Sequence, residues 1–308
     1  MSRSAISIVV FLMSIWFVQG QELTISLWED NIPNFRQTEE TEEVSSTDII
    51  SIKRVQKPDI AVFLPSKKSA SRQAVVICPG GGYVSLSYDW EGTDIAKWFN
   101  ANGIAAVVLK YRLPSEKSNI IRHESPLLDA KRALRIVRYH SAEWNIDSNR
   151  IGIMGFSAGG HLASTLGTHF DYGMHDACDS IDKLSCRPDF MILMYPVISM
   201  DSTITHRGSL NSLLGQKPAP GLVEYYSNEL HVREDTPPTF IVHTADDRTV
   251  PVENSLRFYK ALKDKNIPVE MHLYPIGGHG YSLGLSKGHL SSWTGRCIDW
   301  MRWVDGFN

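Results

Sequence analysis

The stretch Ile151-Gly152-Ile153-Met154-Gly155-Phe156-Ser157-Ala158-Gly159-Gly160-His161 decides how this 308-residue chain is read. Its first residues are apolar or Gly and read as a short buried strand, 151–155; the residues from 157 to about 168 read as a helix. Gly155 and Gly159 flank Ser157 in the pattern G-x-S-x-G, which requires a strand, a sharp turn and a helix in that order. Glycines leave room for a tight, strained turn that lifts the hydroxyl above a sheet, and the helix N-terminus favours negative charge developing beside it. Ser157 is therefore a candidate nucleophile. An ordinary strand–helix turn with a capping Ser would use the same five residues, so the assignment depends on what surrounds them.

Outward from this stretch, short apolar runs alternate with helical patterns. Strands are predicted at 59–64, 74–78, 104–111, 190–195, 239–244 and 269–274, and helices over 91–102, from Ser125-Pro126 onward, and over 252–265 and 286–304. Gly103 is a C-terminal cap signal; Ser125 caps the next helix and Pro126 fits its first position. Leu127, Ala130, Leu134 and Val137 then recur at helical spacing. Buried strands alternating with helices imply an α/β fold with a mostly parallel sheet covered on both faces, and such sheets bind ligands beyond the carboxyl ends of their strands. Residues 197–236 are irregular and could form a small cap over that edge.

The Gly run Pro79-Gly80-Gly81-Gly82-Tyr83 follows the predicted strand 74–78. It lacks the Gly-Lys-Ser/Thr of a phosphate loop, and no G-x-G-x-x-G occurs here. A Gly-rich loop at this place donates backbone N–H groups to a tetrahedral oxyanion, commonly as His-Gly-Gly-Gly; here Pro79 stands at the His position, which leaves the main-chain donors intact. Gly81 and Gly82 N–H are the candidates, with Ala158 N–H as a third.

A Ser nucleophile needs a His base and the His an orienting carboxylate, in chain order Ser, Asp or Glu, His. The predicted strand 239–244 runs into Ala245-Asp246-Asp247-Arg248-Thr249-Val250-Pro251. Either aspartate fits, and one could simply cap the next helix; Asp247 is preferred because Asp-x-x-Val-Pro presents the acid in this arrangement. Of the later histidines, His272 lies inside a strand pattern and His289 inside a helical one, whereas His279 lies in Gly277-Gly278-His279-Gly280, a flexible loop directly after a strand. His279 is the expected base. Tyr83, Tyr88 and Trp90 cluster after the Gly loop and are candidate substrate contacts, with core packing as the alternative, above all for Trp90.

Composition narrows the class. The chain is 43% hydrophobic and 21% charged with a formal net charge of -3, unlike a nucleic-acid binder. No H-E-x-x-H or other metal spacing occurs, so neither metal nor cofactor is expected. Arg3, the apolar run 6–18 and the small residues near Gly20 read as a signal peptide cut near Gly20–Gln21, too short for a bilayer span of roughly 20 residues. That predicts a secreted or periplasmic protein with no membrane attachment after processing. Residues 21–58, polar and acidic, are expected to pack as an extension on a catalytic domain over 59–308. Cys178 and Cys186 lie in a polar loop and could pair under oxidising conditions, while Cys78 reads as a buried thiol.

Taken together, Cys78-Pro-Gly-Gly-Gly-Tyr83, Tyr88-Asp-Trp-Glu-Gly92, Lys110-Tyr-Arg-Leu-Pro114, Gly155-Phe-Ser-Ala-Gly-Gly-His161, Ala245-Asp-Asp-Arg-Thr-Val-Pro251 and Gly277-Gly-His-Gly280 resemble the α/β-hydrolase carbohydrate esterases of the acetyl-xylan esterase and feruloyl esterase type. The resemblance runs from about residue 25 to 305. It implies an α/β-hydrolase fold, a triad of Ser157, Asp247 and His279, and removal of acyl groups, chiefly acetyl, from plant cell-wall sugars, so that an acylated carbohydrate is the expected partner. A feruloyl esterase, a peptidase or a lipase of the same fold and a non-catalytic sugar-binding homologue are the alternatives. No long apolar insertion supplies a lipase lid, and the intact triad residues argue against a non-catalytic homologue.

Overall fold

The computed structural model describes residues 23–29 and 31–304; the predicted signal peptide lies outside them. Eleven strands occur among these residues: β1 (Leu23–Ser26), β2 (Glu43–Ser46), β3 (Ile50–Lys53), β4 (Asp59–Phe63), β5 (Ala74–Cys78), β6 (Leu86–Ser87), β7 (Ala105–Lys110), β8 (Ile151–Phe156), β9 (Met191–Met194), β10 (Thr239–Thr244) and β11 (Val269–Tyr274). The helices are α1 (Asp94–Ala101), α2 (Ser125–Tyr139), α3 (Ala158–Thr168), α4 (Arg207–Leu214), α5 (Pro220–Tyr225), α6 (Glu253–Asp264) and α7 (Trp293–Val304). Eight strands form the main sheet in the order β1-β4-β7-β5-β8-β9-β10-β11, parallel from β7 to β11, with β4 antiparallel to both β1 and β7.

The strands read as continuous apolar runs because both faces are covered. Alternate residues divide between two cores. Val76, Val107, Ile153, Leu193 and Ile241 face one way, with Leu134 of α2, Leu162 of α3 and Phe258 of α6. Val75, Ile77, Val108, Phe156, Ile192 and Val242 face the other, with Phe99 of α1 and Trp293 and Trp300 of α7.

Three differences from the sequence reading have physical causes. The polar N-terminal segment does more than lie over the domain: β1 extends the main sheet at its edge, and β2 and β3 form a second sheet with β6. Such short, exposed strands carry too little apolar alternation to be seen in the sequence. Residues 197–236 hold two helices, α4 and α5, interrupted by Pro and Gly. Cys178 and Cys186 do not pair: Cys186 is buried with its sulfur 3.2 Å from the Asp171 N–H, whereas Cys178 is exposed.

The N-terminal segment is fastened through a buried ion pair. Arg112, just beyond β7, and Asp129 of α2 have fully buried side chains and meet at 2.7 Å (Nη2 to Oδ1). Arg112 also donates to the Pro33 carbonyl at 2.7 Å, and Trp28 Nε1 donates to Asp129 Oδ1 at 3.3 Å. Removing one partner strands the other charge without water. Asp129→Ala is expected to cost about 3–5 kcal/mol and to lower Tm by roughly 10 °C, read by thermal unfolding in circular dichroism.

Candidate active site

Parallel register brings the predicted loops to one edge. Cys78, at the end of β5, lies opposite Gly155 of β8, so the Gly loop and the Ser157 turn leave the sheet at the same level. On the far side, Thr244 of β10 lies opposite Tyr274 of β11, which places the loops carrying Asp247 and His279 side by side.

Ser157 has φ 52° and ψ -116°, strained for a residue with a Cβ. Three backbone bonds hold it there. Its N–H donates to the Met194 carbonyl at 3.0 Å, and its carbonyl accepts from Val197 N–H at 3.0 Å and His161 N–H at 3.1 Å. The flanking glycines are required by contact: a Cβ on Gly159 would overlap the Cys78 and Pro79 carbonyls, and one on Gly155 would overlap the Gly159 carbonyl.

The Gly loop is tied to its neighbours by hydrogen bonds from both sides of its backbone. Tyr111 Oη donates to the Pro79 carbonyl at 2.7 Å, and Gly80 N–H donates to Glu91 Oε2 at 2.9 Å. The Gly80 carbonyl accepts from Ser87 N–H, and the Gly81 carbonyl from Val84 and Ser85 N–H. Gly81 and Gly82 take φ 130° and 64°. Their N–H groups, and that of Ala158 at the first position of α3, have no hydrogen-bond partner among the described residues. Gly81 and Gly82 are half-buried, so their donors are open to a partner from outside the protein.

His279 Nε2 lies 2.9 Å from Ser157 Oγ, and its Nδ1 lies 2.6 Å from Asp247 Oδ2. From β11 to β8 is three strand spacings, about 14 Å, so the Gly277–Gly280 loop must fold back across the sheet edge to reach the serine. The two aspartates divide the work. Asp247 meets the imidazole, while Asp246 Oδ1 accepts from Gly277 and Gly278 N–H at 2.9 Å each and holds the backbone of the same loop. Burial pushes the Asp247 carboxyl up, but hydrogen bonds from His243 and His279 and from Val250 N–H outweigh it and hold the group well below the usual carboxylate range.

Comparison with known proteins places this geometry in a family. Residues 60–262 match the BD-FAE family, more than half of the chain. The chain belongs to the BD-FAE family. Its fold matches the acetyl ester-xyloside bifunctional hydrolase of Caldicellulosiruptor lactoaceticus, 40% identical, with a TM-score of 0.82 over 94% of this chain and 99% of that one. It is 40% identical over 232 residues to an acetylxylan esterase of Xylanibacter ruminicola, covering 74% of this chain and 44% of that protein. It is 37% identical over 238 residues to endo-1,4-beta-xylanase B of Butyrivibrio fibrisolvens, covering 77% of this chain and 36% of that protein. The BD-FAE chain thus spans less than half the length of these two curated relatives. Its fold is that of the α/β hydrolases.

The three aromatic candidates separate. Tyr83 is 1% exposed, its hydroxyl 2.8 Å from His161 Nδ1 and its ring edge-on to Tyr111 and His161, so as a substrate contact it is corrected to a core residue. Its φ is 62°, in the left-handed region that residues with a Cβ seldom adopt. Tyr88 is half-buried between the two cores. Trp90 is half-buried and donates Nε1–H to the Gly280 carbonyl at 2.9 Å, so it holds the histidine loop.

Other residues of this BD-FAE site escaped the sequence reading. His243, fully buried in β10, faces Asp247 Oδ2 at 3.2 Å and the Val250 carbonyl at 3.0 Å with Nε2, and Ser255 Oγ at 2.7 Å with Nδ1. Its Nε2 must therefore carry the hydrogen, and the Ser255 hydroxyl can donate to Nδ1. His206, at the N-cap of α4, comes close to the Gly loop: a Cβ on Gly82 would lie 3.8 Å from its Cε1. Burial and then the charge of His279 lower its pKa. A lone His in an irregular segment carries no sequence signal for that position. Among the described residues, no group of three or more His, Cys, Asp or Glu could hold a metal ion, and no helix is long and apolar enough to cross a membrane.

His161 supports the Gly loop from below. Its Nε2–H donates to the Tyr226 carbonyl at 2.9 Å, leaving Nδ1 to accept from Tyr83. Burial pushes its pKa from 6.5 down to about 4. A lowered histidine contributes stability that is complete above its unfolded pKa, declines as pH falls below 6.5 and is gone below about 4. Stability is expected to drop over that window by on the order of 3 kcal/mol from this group, and His161→Gln should flatten the slope in urea titrations run from pH 7 to 4. Asp246→Ala, which frees the histidine loop without touching the imidazole, is expected to lower kcat about tenfold with little change in KM; steady-state kinetics on p-nitrophenyl acetate reads it.

Proposed function

We propose that this protein is a serine carboxylic-ester hydrolase that removes acyl groups, chiefly acetyl, from carbohydrate esters such as acetylated xylan. The observation that carries the reading is the chain Ser157 Oγ–His279–Asp247, at 2.9 and 2.6 Å, beside three unpaired backbone donors. With Nδ1–H committed to Asp247, Nε2 is free to take the serine proton. Ser157 Oγ attacks the ester carbonyl, and Gly81, Gly82 and Ala158 N–H receive the oxyanion where charge develops. The imidazolium returns the proton to the departing sugar oxygen, leaving an acyl-serine. Water, deprotonated by His279, then releases the acid and restores the serine. Asp247 stays ionised throughout and holds the imidazole in the required tautomer.

The sugar-ester half of the reading is supported by the names of the relatives: an acetylxylan esterase, a xylanase and an acetyl ester-xyloside hydrolase. Tyr88 and His206 are proposed to wall the site on the substrate side. Export is part of the same proposal, on the strength of Arg3 and the apolar run 6–18.

Ser157→Ala is expected to lower kcat on p-nitrophenyl acetate by about 10⁴-fold or more; retention of full activity would overturn the mechanism. Acetate release from acetylated xylan is expected to exceed ferulate release from a feruloylated sugar at equal ester concentration, and the reverse ratio would assign a feruloyl esterase instead.

A further inference from the structure

Glu91 is a carboxylate placed where a soluble domain rarely keeps one. It is 4% exposed and sits behind the Gly loop, on the π-helical turn Asp89–Thr93 that precedes α1. Two donors converge on it: Gly80 N–H reaches Oε2 at 2.9 Å, and Tyr195 Oη reaches Oε1 at 2.7 Å. Ser282 N–H in turn donates to Tyr195 Oη at 3.0 Å. The ends of this chain, Gly80 N–H and Ser282 N–H, are backbone groups that can only donate, and between them the Tyr195 hydroxyl donates to the Glu91 carboxylate. The run is Ser282 N–H to Tyr195 Oη, Tyr195 O–H to Glu91, and Gly80 N–H to Glu91.

The chain joins the two halves of the site. Gly80 precedes the candidate oxyanion donors Gly81 and Gly82. Ser282 lies three residues beyond His279, and the Tyr195 ring packs edge-on against the His279 imidazole with centroids 4.8 Å apart. The neighbouring Trp90 reinforces the link: its Nε1–H donates to the Gly280 carbonyl at 2.9 Å, and its own carbonyl accepts from Ser282 Oγ. Gly80 also packs too tightly to move independently, since a Cβ there would lie 2.5 Å from Glu91 Oε2 and 2.8 Å from the Phe156 carbonyl.

We infer that Glu91, through Tyr195, is a positioning residue that sets the distance between the oxyanion donors and the His279 imidazole. The inference rests on the esterase reading above. It explains why the position holds an acid. Glutamine is isosteric but offers one acceptor oxygen, and its NH₂ must face either Gly80 N–H or the Tyr195 hydroxyl. Burial pushes the Glu91 carboxyl above its ordinary range, while the Tyr195 hydroxyl, the charge of His279 and Gly80 N–H pull it back.

The test uses Glu91→Gln and Tyr195→Phe in the full chain, with p-nitrophenyl acetate kinetics, the affinity for phenylboronic acid as a tetrahedral mimic on Ser157, and thermal unfolding. Glu91→Gln is expected to lower kcat about 100-fold, the cost of one misaligned oxyanion donor, with KM within about threefold. Boronate affinity is expected to fall in parallel with kcat, which a purely structural role would not produce. Tyr195→Phe keeps the ring on His279 and the Gly80–Glu91 bond, and is expected to lose about tenfold in both kcat and boronate affinity. Both variants within twofold of the wild type in kcat, or a fall in kcat with boronate affinity unchanged, would overturn the inference. If Glu91→Gln does not fold, Tyr195→Phe decides on the same criteria. A wild-type protein that neither hydrolyses esters nor binds the boronate sinks the esterase reading instead, so the two failures are distinct.

Discussion

The close approach of α3 to the ends of β5 and β8 is the constraint on which the site is built. Gly159 touches the Cys78 and Pro79 carbonyls, and Gly155 touches the carbonyl of Gly159, with no room for a side chain at either place. That contact forces the chain through an unfavourable φ at Ser157, and bonds to Met194, Val197 and His161 keep it there. Strain of this kind persists only where surrounding structure over-determines it. The hydroxyl's position is thereby set by backbone packing. Because β5 is one of the strands in contact, the same packing sets how far Ser157 lies from the Gly loop.

The other half of the site has to be brought from further away. Asp247 and His279 come from β10 and β11, and His279 returns across the sheet edge on a loop with no regular hydrogen bonding of its own. The structure compensates with side-chain bonds to that loop. Asp246 holds Gly277 and Gly278, Thr244 Oγ1 donates to the Gly278 carbonyl at 2.7 Å, and Trp90 holds Gly280. Beneath Asp247, His243 supplies a donor from the strand itself, so the acid is oriented from both sides. A backbone turn carries Ser157, and a loop braced by side-chain bonds carries His279.

The Gly loop follows the same logic in reverse. Its Pro79, Gly80 and Gly81 carbonyls are engaged by the Tyr111 hydroxyl and by the Ser87, Val84 and Ser85 N–H groups, while the Gly81 and Gly82 N–H groups keep no partner among the described residues. Side chains from three elements take part: Tyr111 after β7, Glu91 before α1, and Tyr83 of the loop itself over His161 of α3. These polar residues are buried, and each buried polar group is paired, as burial requires.

What could be read from the sequence was local. Strand and helix periods, the Gly-x-Ser-x-Gly spacing, the Gly run after a strand and the order Ser, Asp, His describe backbone geometry and chain order. A residue's near neighbours encode these directly, so Ser157, Asp247 and His279 were legible as a group. The burial of Tyr83, the approach of His206 from the 197–236 segment, the strand added by residues 23–26 and the chain from Gly80 through Glu91 and Tyr195 to Ser282 were not. Each depends on side chains separated by tens to hundreds of residues. Their meeting is decided by strand register and by the one face a side chain takes on its element, and that geometry exists only once the sheet has formed.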